Sequence, residues 1–262
     1  MDLGLKGRVA VVAAASKGLG RATAEELARE GCDLVVCARG EPALREAAAA
    51  MEAHGTRVVP VVADLGTAEG VDTVVQRAME AFGRADIVVA NAGGPPSGPF
   101  ETHPWGAWQE AVELNLRSTV ELVRPFLPGM RERRWGRILT ITSIAVKQPV
   151  EGLILSNAIR AAVTGFARTL ANEVAKDGIT VNNLLPGYTR TDRVTSLNAA
   201  RAAREGITPE AVARGIEQQV PMGRYGEPRE FAALAAFLAS ERASYITAQS
   251  IAVDGGWIRS LL

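Results

Sequence analysis

The chain has 262 residues, and its 29 basic side chains balance its 29 acidic ones to give a formal net charge of zero and a sequence pI of about 6.8. Without a charge excess or a long run of one sign, nucleic acid and membrane surfaces are poor candidates for partners, and a small-molecule ligand is favoured. No apolar stretch approaches the ~20 residues of a membrane-spanning helix, and the length suits one α/β domain.

The first 30 residues predict a strand, a tight turn and a helix. An apolar run begins at Val9 and ends in small residues, Gly18 and Gly20 follow, and residues 24–28 then show an apolar pattern at helical spacing. Such a turn directs backbone N–H groups and the positive end of a helix dipole at one point. This arrangement suits a phosphate or a pyrophosphate.

Apolar strands alternate with amphipathic helices along most of the remaining chain. The pattern predicts strands at 33–38, 58–63, 85–90, 137–142, 180–185 and 250–253, and helices at 43–51, 68–82, 105–133, 155–175 and 228–239. This alternation is typical of a parallel sheet that is covered on both faces. We therefore predict a single doubly wound Rossmann-type α/β domain over residues 1–262, with a mostly parallel seven-stranded sheet.

Residues 188–220 interrupt the alternation. Five arginines lie there among alanines and short helical patterns: Arg190, Arg193, Arg201, Arg204 and Arg214. Long excursions in compact domains are often lids or binding loops, which predicts a lid-like segment here. A solvated helical hairpin is the alternative.

Cys32 and Cys37 are five positions apart on one predicted strand. At roughly 3.3 Å per residue they are about 16 Å apart, which is too far for a disulfide. Residues 9–15 follow two basic residues much as in a secretory signal, but cleavage there would remove the first predicted strand. We therefore expect reduced thiols and a cytoplasmic location.

Several motifs resemble those of the short-chain dehydrogenase/reductase family, in the same order and over essentially the whole chain. The family's Thr-Gly-x-x-x-Gly-x-Gly turn matches Ala13, Ala14, Gly18 and Gly20, with alanine in place of the first glycine. The other matches are Asp64-Leu65, Asn91-Ala92-Gly93, Asn115, Pro186-Gly187 with Thr191, the segment 224–228 and the segment 253–256. The resemblance is closest to the branch of 3-oxoacyl-[acyl-carrier-protein] reductases.

The resemblance implies that these motifs bind a nicotinamide dinucleotide, without a metal ion. The expected cofactor contacts are Ala14, Ser16, Lys17, Gly18, Leu19, Gly20, Arg39, Asp64, Leu65, Asn91, Ala92, Gly93, Arg160, Pro186, Gly187 and Thr191.

The residues after the second predicted strand favour NADP over NAD. An NAD site usually places an acidic residue about 20 residues past the glycines, but Cys37-Ala38-Arg39 contains none. Arg39 and Lys17 are expected to face the 2′-phosphate of NADP with charge-assisted hydrogen bonds. The alternative is that both are solvated surface cations.

The catalytic pattern of the family is incomplete in this chain. The resemblance aligns Ser143 with the serine that orients the carbonyl and Asn115 with an asparagine that supports a water chain. It aligns Ser156 with the tyrosine that transfers the proton and Arg160 with the lysine that assists it. Because an aliphatic hydroxyl is a far weaker acid than a phenol, and a guanidinium holds its proton tightly, the usual proton route is missing.

Three other residues are candidate proton donors. Lys147 follows Ser143 on the loop toward Ser156, where burial would make its ammonium a readier donor. Tyr188 lies at the carboxyl end of a predicted strand, where open α/β sheets bind ligands. His103 lies in a loop that borders the substrate in this family. The alternatives are a solvated lysine, a packing tyrosine and a surface histidine.

We expect an NADPH-dependent oxidoreductase that reduces a carbonyl of the 3-oxoacyl-thioester type to an alcohol through an atypical proton relay. The alternative is a catalytically inactive NADP-binding sensor or assembly protein on the same fold.

The family's pairing of helices across subunits predicts a homotetramer, or a homodimer. In the helix after Ser156, small residues would permit close helix approach, namely Ala158, Ala161, Ala162 and Gly165. An apolar stripe accompanies them, formed by Ile159, Val163, Phe166 and Leu170. The alternative is that this stripe only meets the sheet of its own chain.

Overall fold

A computed structural model describes residues 2–261, and seven strands form one sheet within them. The strands are β1 (Val9–Val12), β2 (Asp33–Ala38), β3 (Val58–Val62), β4 (Ile87–Ala90), β5 (Gly136–Ile141), β6 (Ile179–Pro186) and β7 (Ser250–Val253). Their spatial order is β3-β2-β1-β4-β5-β6-β7, and all six pairings are parallel. The predicted doubly wound sheet is confirmed, and it is parallel throughout rather than mostly parallel.

Helices cover both faces of the sheet. They are α1 (Gly18–Arg29), α2 (Glu41–Glu52), α3 (Ala68–Phe82), α4 (Trp105–Ala111), α5 (Ser118–Val123), α6 (Leu127–Arg133), α7 (Ile154–Val174), α8 (Asp192–Glu205), α9 (Pro209–Gln219) and α10 (Pro228–Ala239). Successive residues of a strand point to opposite faces. On β1, Ala10 and Val12 therefore pack with α1 and α10, whereas Val11 packs with α3 and α7.

The segment predicted as one helix at 105–133 is divided in the structure. A π-helical turn at Val112–Arg117 separates α4 from α5, and a 3₁₀ turn at Arg124–Phe126 separates α5 from α6. Pro125 and Pro128 lie at the second break, where the missing N–H of proline disfavours regular α-helix. The π-helical turn contains Asn115, and such turns often occur at functional sites.

The apolar stripe of α7 packs mainly inside its own chain. Ile159, Val163 and Leu170 are buried, and Phe166 packs partly against the core that contains Leu170. The sheet and α4 cover most of this stripe within the chain, as the alternative interpretation expects, and the homotetramer or homodimer stays a prediction. The small residues lie on the opposite, exposed face: Ala158, Ala161, Ala162 and Gly165.

The excursion at 188–220 folds into α8 and α9. These helices pack with Tyr225 and Trp257 from the C-terminal part of the chain. Thr191 and Thr208 cap the two helices by accepting hydrogen bonds from Val194 N and Ala211 N.

Two further findings concern membrane-spanning helices and the cysteines. Among residues 2–261, no helix is long and apolar enough to span a membrane. Cys32 and Cys37 are both free thiols and both buried, and burial raises the pKa of each to about 12.

The carboxylate of Asp86 anchors the amino ends of β1 and β4. Asp86 is fully buried, and its side chain accepts hydrogen bonds from Val9 N at 3.0 Å and from Arg84 Nη2 at 2.6 Å. Arg133 Nε lies 3.3 Å from the other carboxylate oxygen. A buried carboxylate is stable only when such partners replace water.

We predict that Asp86→Ala lowers the free energy of unfolding by about 2–3 kcal/mol, because it leaves Val9 N and Arg84 without their acceptor and Arg133 without its counter-ion. Urea denaturation followed by circular dichroism measures the change. Asp72→Ala, which removes an exposed carboxylate from α3, is the matched control and should change stability little. Equal effects of the two substitutions would contradict the anchoring role.

Candidate active site

The turn after β1 is held between two neighbouring strands. Ala13 N donates to Val89 O at 3.1 Å, and Ala15 N donates to Cys37 O at 3.0 Å. A Cβ atom on Gly20 would lie 2.3 Å from Ala14 O, so only glycine allows α1 to approach the turn this closely.

The first turn of α1 lacks the capping found at several other helices. Its N-cap residue, Lys17, makes no side-chain cap, and no acidic residue lies in the first turn. By contrast, the side chains of Thr67, Thr191 and Thr208 cap α3, α8 and α9. The N–H groups that begin α1 are therefore free to bind an anion, with help from the helix dipole. The backbone here fits a phosphate or a pyrophosphate.

Other predicted cofactor contacts surround this turn. Ser16 and Leu19 are half-buried beside it, and Asn91 Nδ2 donates to Ala13 O at 3.4 Å. Gly93 is exposed, and a Cβ atom there would meet nothing within 4 Å. The loop after β4 therefore leaves open space next to the uncapped end of α1.

The two predicted phosphate-binding cations differ in their surroundings. Arg39 is 75% exposed, and its closest acidic partner, Asp64, is 4.0 Å away. Lys17 Nζ instead pairs with Asp192 at 2.9 Å, and this contact lowers the pKa of Asp192. Arg39 is thus available to a ligand, whereas Lys17 joins α1 to the start of α8. Leu65, after Asp64, is buried in the core.

The loop after β6 closes over the glycine turn. Pro186 ends β6, and Gly187 N donates to Val253 O at 3.0 Å. A Cβ atom on Gly18 would lie 3.5 Å from Thr191 Cγ2, so the cap of α8 sits above the start of α1. The predicted contacts from both ends of the chain therefore meet at the carboxyl edge of the sheet.

Ser143 begins the 3₁₀ turn that follows β5. Its Oγ accepts a hydrogen bond from Ala145 N at 3.1 Å, which fixes the side chain. A hydroxyl that accepts one hydrogen bond keeps its own proton for donation. Ser156, in the first turn of α7, is 7% exposed, and its hydroxyl makes no hydrogen bond within residues 2–261.

Arg160 lies one helical turn after Ser156 and joins two strand ends. Its Nη1 donates to Ile141 O at 2.8 Å, and its Nη2 donates to Ala92 O at 3.4 Å. Burial, together with the positive charge of Arg193, lowers the pKa of Arg160 to about 10. The guanidinium is thus held beside the loop that follows β4.

Asn115 turns its side chain inward from the π-helical segment. Its Nδ2 donates to Ala111 O at 3.2 Å, and its buried Oδ1 has no partner. An orphaned buried acceptor is rare in folded proteins and indicates a donor that is absent here, such as water or a ligand.

The three candidate proton donors have different environments. Lys147 is exposed, so the burial expected for it is wrong; it ends the short turn after Ser143 and its side chain faces solvent. Tyr188 lines a cavity of about 250 Å³ between the loop 148–153 and α8. His103 is half-buried, and its Nε2 is buried without a partner.

The cavity beside Tyr188 contains features that the sequence did not indicate. The Tyr188 ring packs edge to face against Tyr225 and Trp257, with ring centres 6.2 and 5.7 Å away. Tyr225 OH accepts a hydrogen bond from Asn198, whereas Tyr188 OH makes none within residues 2–261. Burial raises the pKa of Tyr188. The available signal was that Tyr225 lies in the motif 224–228 and Trp257 directly follows the motif 253–256.

Arg193 is the other residue that the sequence-based site omitted. Its Nη2 donates to Pro95 O at 2.7 Å, and its guanidinium lies over Gly94. The available signal was its position two residues after Thr191.

Residues 2–261 contain no cluster of three or more histidines, cysteines or acidic residues that could hold a metal ion.

Comparison with known proteins identifies the family. A protein-family model described as Enoyl-(Acyl carrier protein) reductase matches residues 13–258. The chain belongs to the short-chain dehydrogenase/reductase family. This assignment agrees with the doubly wound parallel sheet and with the uncapped first turn of α1 after β1.

Similar proteins of this family match almost end to end. The 3-oxoacyl-[acyl-carrier-protein] reductase of Salmonella typhimurium is 34% identical over 254 residues, covering 97% of this chain and 98% of the relative. The D-beta-hydroxybutyrate dehydrogenase of Cupriavidus necator is 33% identical over 261 residues, covering 97% of this chain and 99% of the relative. The L-sorbose reductase of Gluconobacter frateurii, in complex with NADPH and L-sorbose, matches with a TM-score of 0.93, 37% identity and full coverage of both chains.

Ala14 occupies the position of the first motif glycine in this short-chain dehydrogenase/reductase, and its φ is +52°. A residue with a Cβ atom is strained in this left-handed region. We predict that Ala14→Gly raises the free energy of unfolding by about 0.5–1 kcal/mol, after allowance for the greater freedom of glycine in the unfolded chain.

Ala13→Gly is the matched control, because Ala13 is buried and has no positive φ. It should lower stability, since it removes a packed methyl group and adds backbone freedom. Chemical denaturation of the two variants compares them. A loss of stability in both would show that strain at Ala14 is not significant.

Proposed function

We propose that the chain is an NADPH-dependent oxidoreductase that reduces a carbonyl group, of the 3-oxoacyl type, to an alcohol. The observation that carries this proposal is the Ser143 hydroxyl, which is fixed by Ala145 N and keeps its proton for a carbonyl oxygen at the same sheet edge as the uncapped start of α1. Names of relatives support it, since they include ketone-reducing enzymes and an NADPH complex.

The residues at the sheet edge fit NADP(H). The first turn of α1 would bind the pyrophosphate, and the exposed Arg39 would bind the 2′-phosphate. Arg160 uses two of its five N–H donors on Ile141 O and Ala92 O and has others for ribose hydroxyls. Asn91, Gly93 and the other motif residues would line the remaining surface.

When bound, NADPH supplies a hydride to the carbonyl carbon. The Ser143 hydroxyl donates a hydrogen bond to the carbonyl oxygen and stabilises its developing negative charge. That oxygen must then take one proton to become the alcohol. Asn115, with its unpartnered buried Oδ1, supports the water that returns the proton to the donor.

We infer that Ser156 and Arg160 replace the family's tyrosine and lysine, so the proton comes from another residue. Lys147 is exposed, which weakens the case for it. Tyr188 has a phenol free of hydrogen bonds within residues 2–261 and lines the cavity behind the loop that follows Ser143. We therefore propose Tyr188 as the proton donor.

Three further features are part of the proposal. The domain extends over residues 1–262, with α8 and α9 as a lid over the cofactor. The chain forms a homotetramer or a homodimer, supported by the exposed small-residue face of α7. The two free thiols favour a cytoplasmic location.

We predict that NADPH binds at least about tenfold more tightly than NADH, a difference of ~1.4 kcal/mol. The nearest acidic partner of Arg39, Asp64, is 4.0 Å away, so the guanidinium is available to the 2′-phosphate that only NADPH carries. Fluorescence titration of both cofactors measures the preference. Arg39→Asp should reverse it, since a carboxylate repels the 2′-phosphate and binds a 2′-hydroxyl. Arg45→Asp, on the exposed face of α2, is the control and should leave the ratio unchanged. Equal affinities in the parent protein would contradict the preference.

We predict that Tyr188→Phe lowers kcat by about 100-fold and leaves the Kd of NADPH unchanged, because a general acid acts mainly in the transition state. Tyr188 donates while protonated, and burial raises its pKa. The parent's kcat should therefore stay level through neutral pH and fall only as pH rises beyond about 10, the ordinary value for a phenol. Stopped-flow measurement of NADPH oxidation by 3-oxoacyl thioesters and simple ketones gives kcat and its pH dependence, and fluorescence titration gives the Kd of NADPH.

Two control variants accompany this test. Tyr225→Phe removes the neighbouring phenol, which already bonds to Asn198, and should change kcat little. Lys147→Ala tests the lysine that the sequence analysis also named as a candidate donor. A 100-fold loss in Lys147→Ala, with none in Tyr188→Phe, would reverse the assignment. Binding of NADPH without reduction of any carbonyl compound would instead indicate the inactive sensor or assembly protein.

A further inference from the structure

Arg160 and Arg193 form a pair of guanidinium groups around one short loop. Arg160 donates to Ala92 O, and Arg193 donates to Pro95 O, three residues further along the same loop. The two charges are close enough for Arg193 to lower the pKa of Arg160. Burial also lowers the pKa of Arg193.

Neither guanidinium forms an ion pair with an acid within residues 2–261. Other arginines near the core do so: Arg84 and Arg133 contact Asp86, and Arg137 lies 3.9 Å from Glu241. Both side chains are half-buried, and two like charges that are partly removed from water without a counter-ion are unfavourable in a folded chain. An anion between them would remove both costs.

The pair lies beside the proposed reaction centre. Arg160 is bonded to Ile141 O, two residues before Ser143. The loop that Arg193 contacts continues to Ser97, which lines the same cavity as Tyr188. Arg193 uses one of its five N–H donors in this contact, so a planar pair of donors stays available.

We propose that Arg193, beside the positive charge of Arg160, binds a carboxylate carried by the substrate. The chain then acts on 3-oxo compounds as free acids, in preference to their esters or thioesters. This proposal rests on the carbonyl reduction proposed above.

A cofactor phosphate is the other possible source of an anion. The free N–H groups of α1 already offer a phosphate site, and the cap Thr191 lies above it. Arg193 instead contacts Gly94 and Pro95, beyond the Asn91 that touches the glycine turn. Its position therefore favours the substrate side.

The experiment compares acetoacetate with methyl acetoacetate, a pair that differs in the carboxylate. Steady-state kinetics with saturating NADPH give kcat and KM for the parent, Arg193→Gln, Arg193→Lys and Arg190→Gln. Arg190 is the matched control, because it lies on the same excursion but pairs with Glu227 at 3.0 Å. Thermal shifts of each NADP⁺-saturated protein with the two compounds report binding without turnover, and NADPH titration reports cofactor affinity.

We expect Arg193→Gln to raise KM for acetoacetate by about tenfold or more, with KM for the ester and the Kd of NADPH changed less than about twofold. Arg193→Lys should recover part of the loss, and Arg190→Gln should behave like the parent. Acetoacetate should raise the melting temperature of the parent but not that of Arg193→Gln.

The outcomes separate this proposal from the proposed function. The carboxylate site is overturned, while reduction stands, if the parent has equal kcat/KM for acetoacetate and methyl acetoacetate. It is also overturned if Arg193→Gln raises KM equally for both compounds. A weaker Kd for NADPH in Arg193→Gln, with an unchanged acid-to-ester ratio, assigns the anion to the cofactor. No reduction of either compound or of the 3-oxoacyl thioesters, with a thermal shift by acetoacetate that depends on Arg193, rejects the reductase and supports the carboxylate site.

Discussion

The hydrogen bonds of the Arg160 guanidinium connect the parts of the site. One side chain donates to Ile141 O at the end of β5 and to Ala92 O after β4, and it extends from α7, one turn beyond Ser156. A planar group with several fixed donors can bind two carbonyl oxygens at once, which a lysine ammonium does with less directional control. This contact therefore ties α7 to both strand ends, one of which lies two residues before Ser143.

The same contact has an electrostatic cost. Burial lowers the pKa of Arg160 to about 10, so at neutral pH the group is charged in both the folded and the unfolded chain. The penalty for burying the charge is therefore fully present at neutral pH, and it is relieved only as pH rises past about 10, where the folded chain loses the proton first. Carbonyl oxygens offset part of this penalty, and an anionic ligand offsets more.

The sequence predicted the parts of the site that depend on backbone and regular spacing. The glycine turn, the strand ends and the position of Ser143 follow from apolar periodicity and short motifs, and the structure contains all of them. Long side chains were harder, because their partners come from distant segments. Lys17 pairs with Asp192, 175 positions away, and Arg193 reaches Pro95, 98 positions away. Lys147 is exposed, which its loop position alone did not reveal.

Three consecutive residues at the start of α8 connect the two halves of the site. Thr191 lies above Gly18, Asp192 pairs with Lys17, and Arg193 contacts Pro95. The pair between Asp192 and Lys17 is exposed, with side chains 74% and 70% accessible, so it contributes little to stability. This exposed pair therefore does little to hold the start of α8 in place, and a ligand that binds both the α1 turn and Arg193 would hold the proposed lid closed. Cofactor and substrate would then each favour the closed arrangement that the other needs.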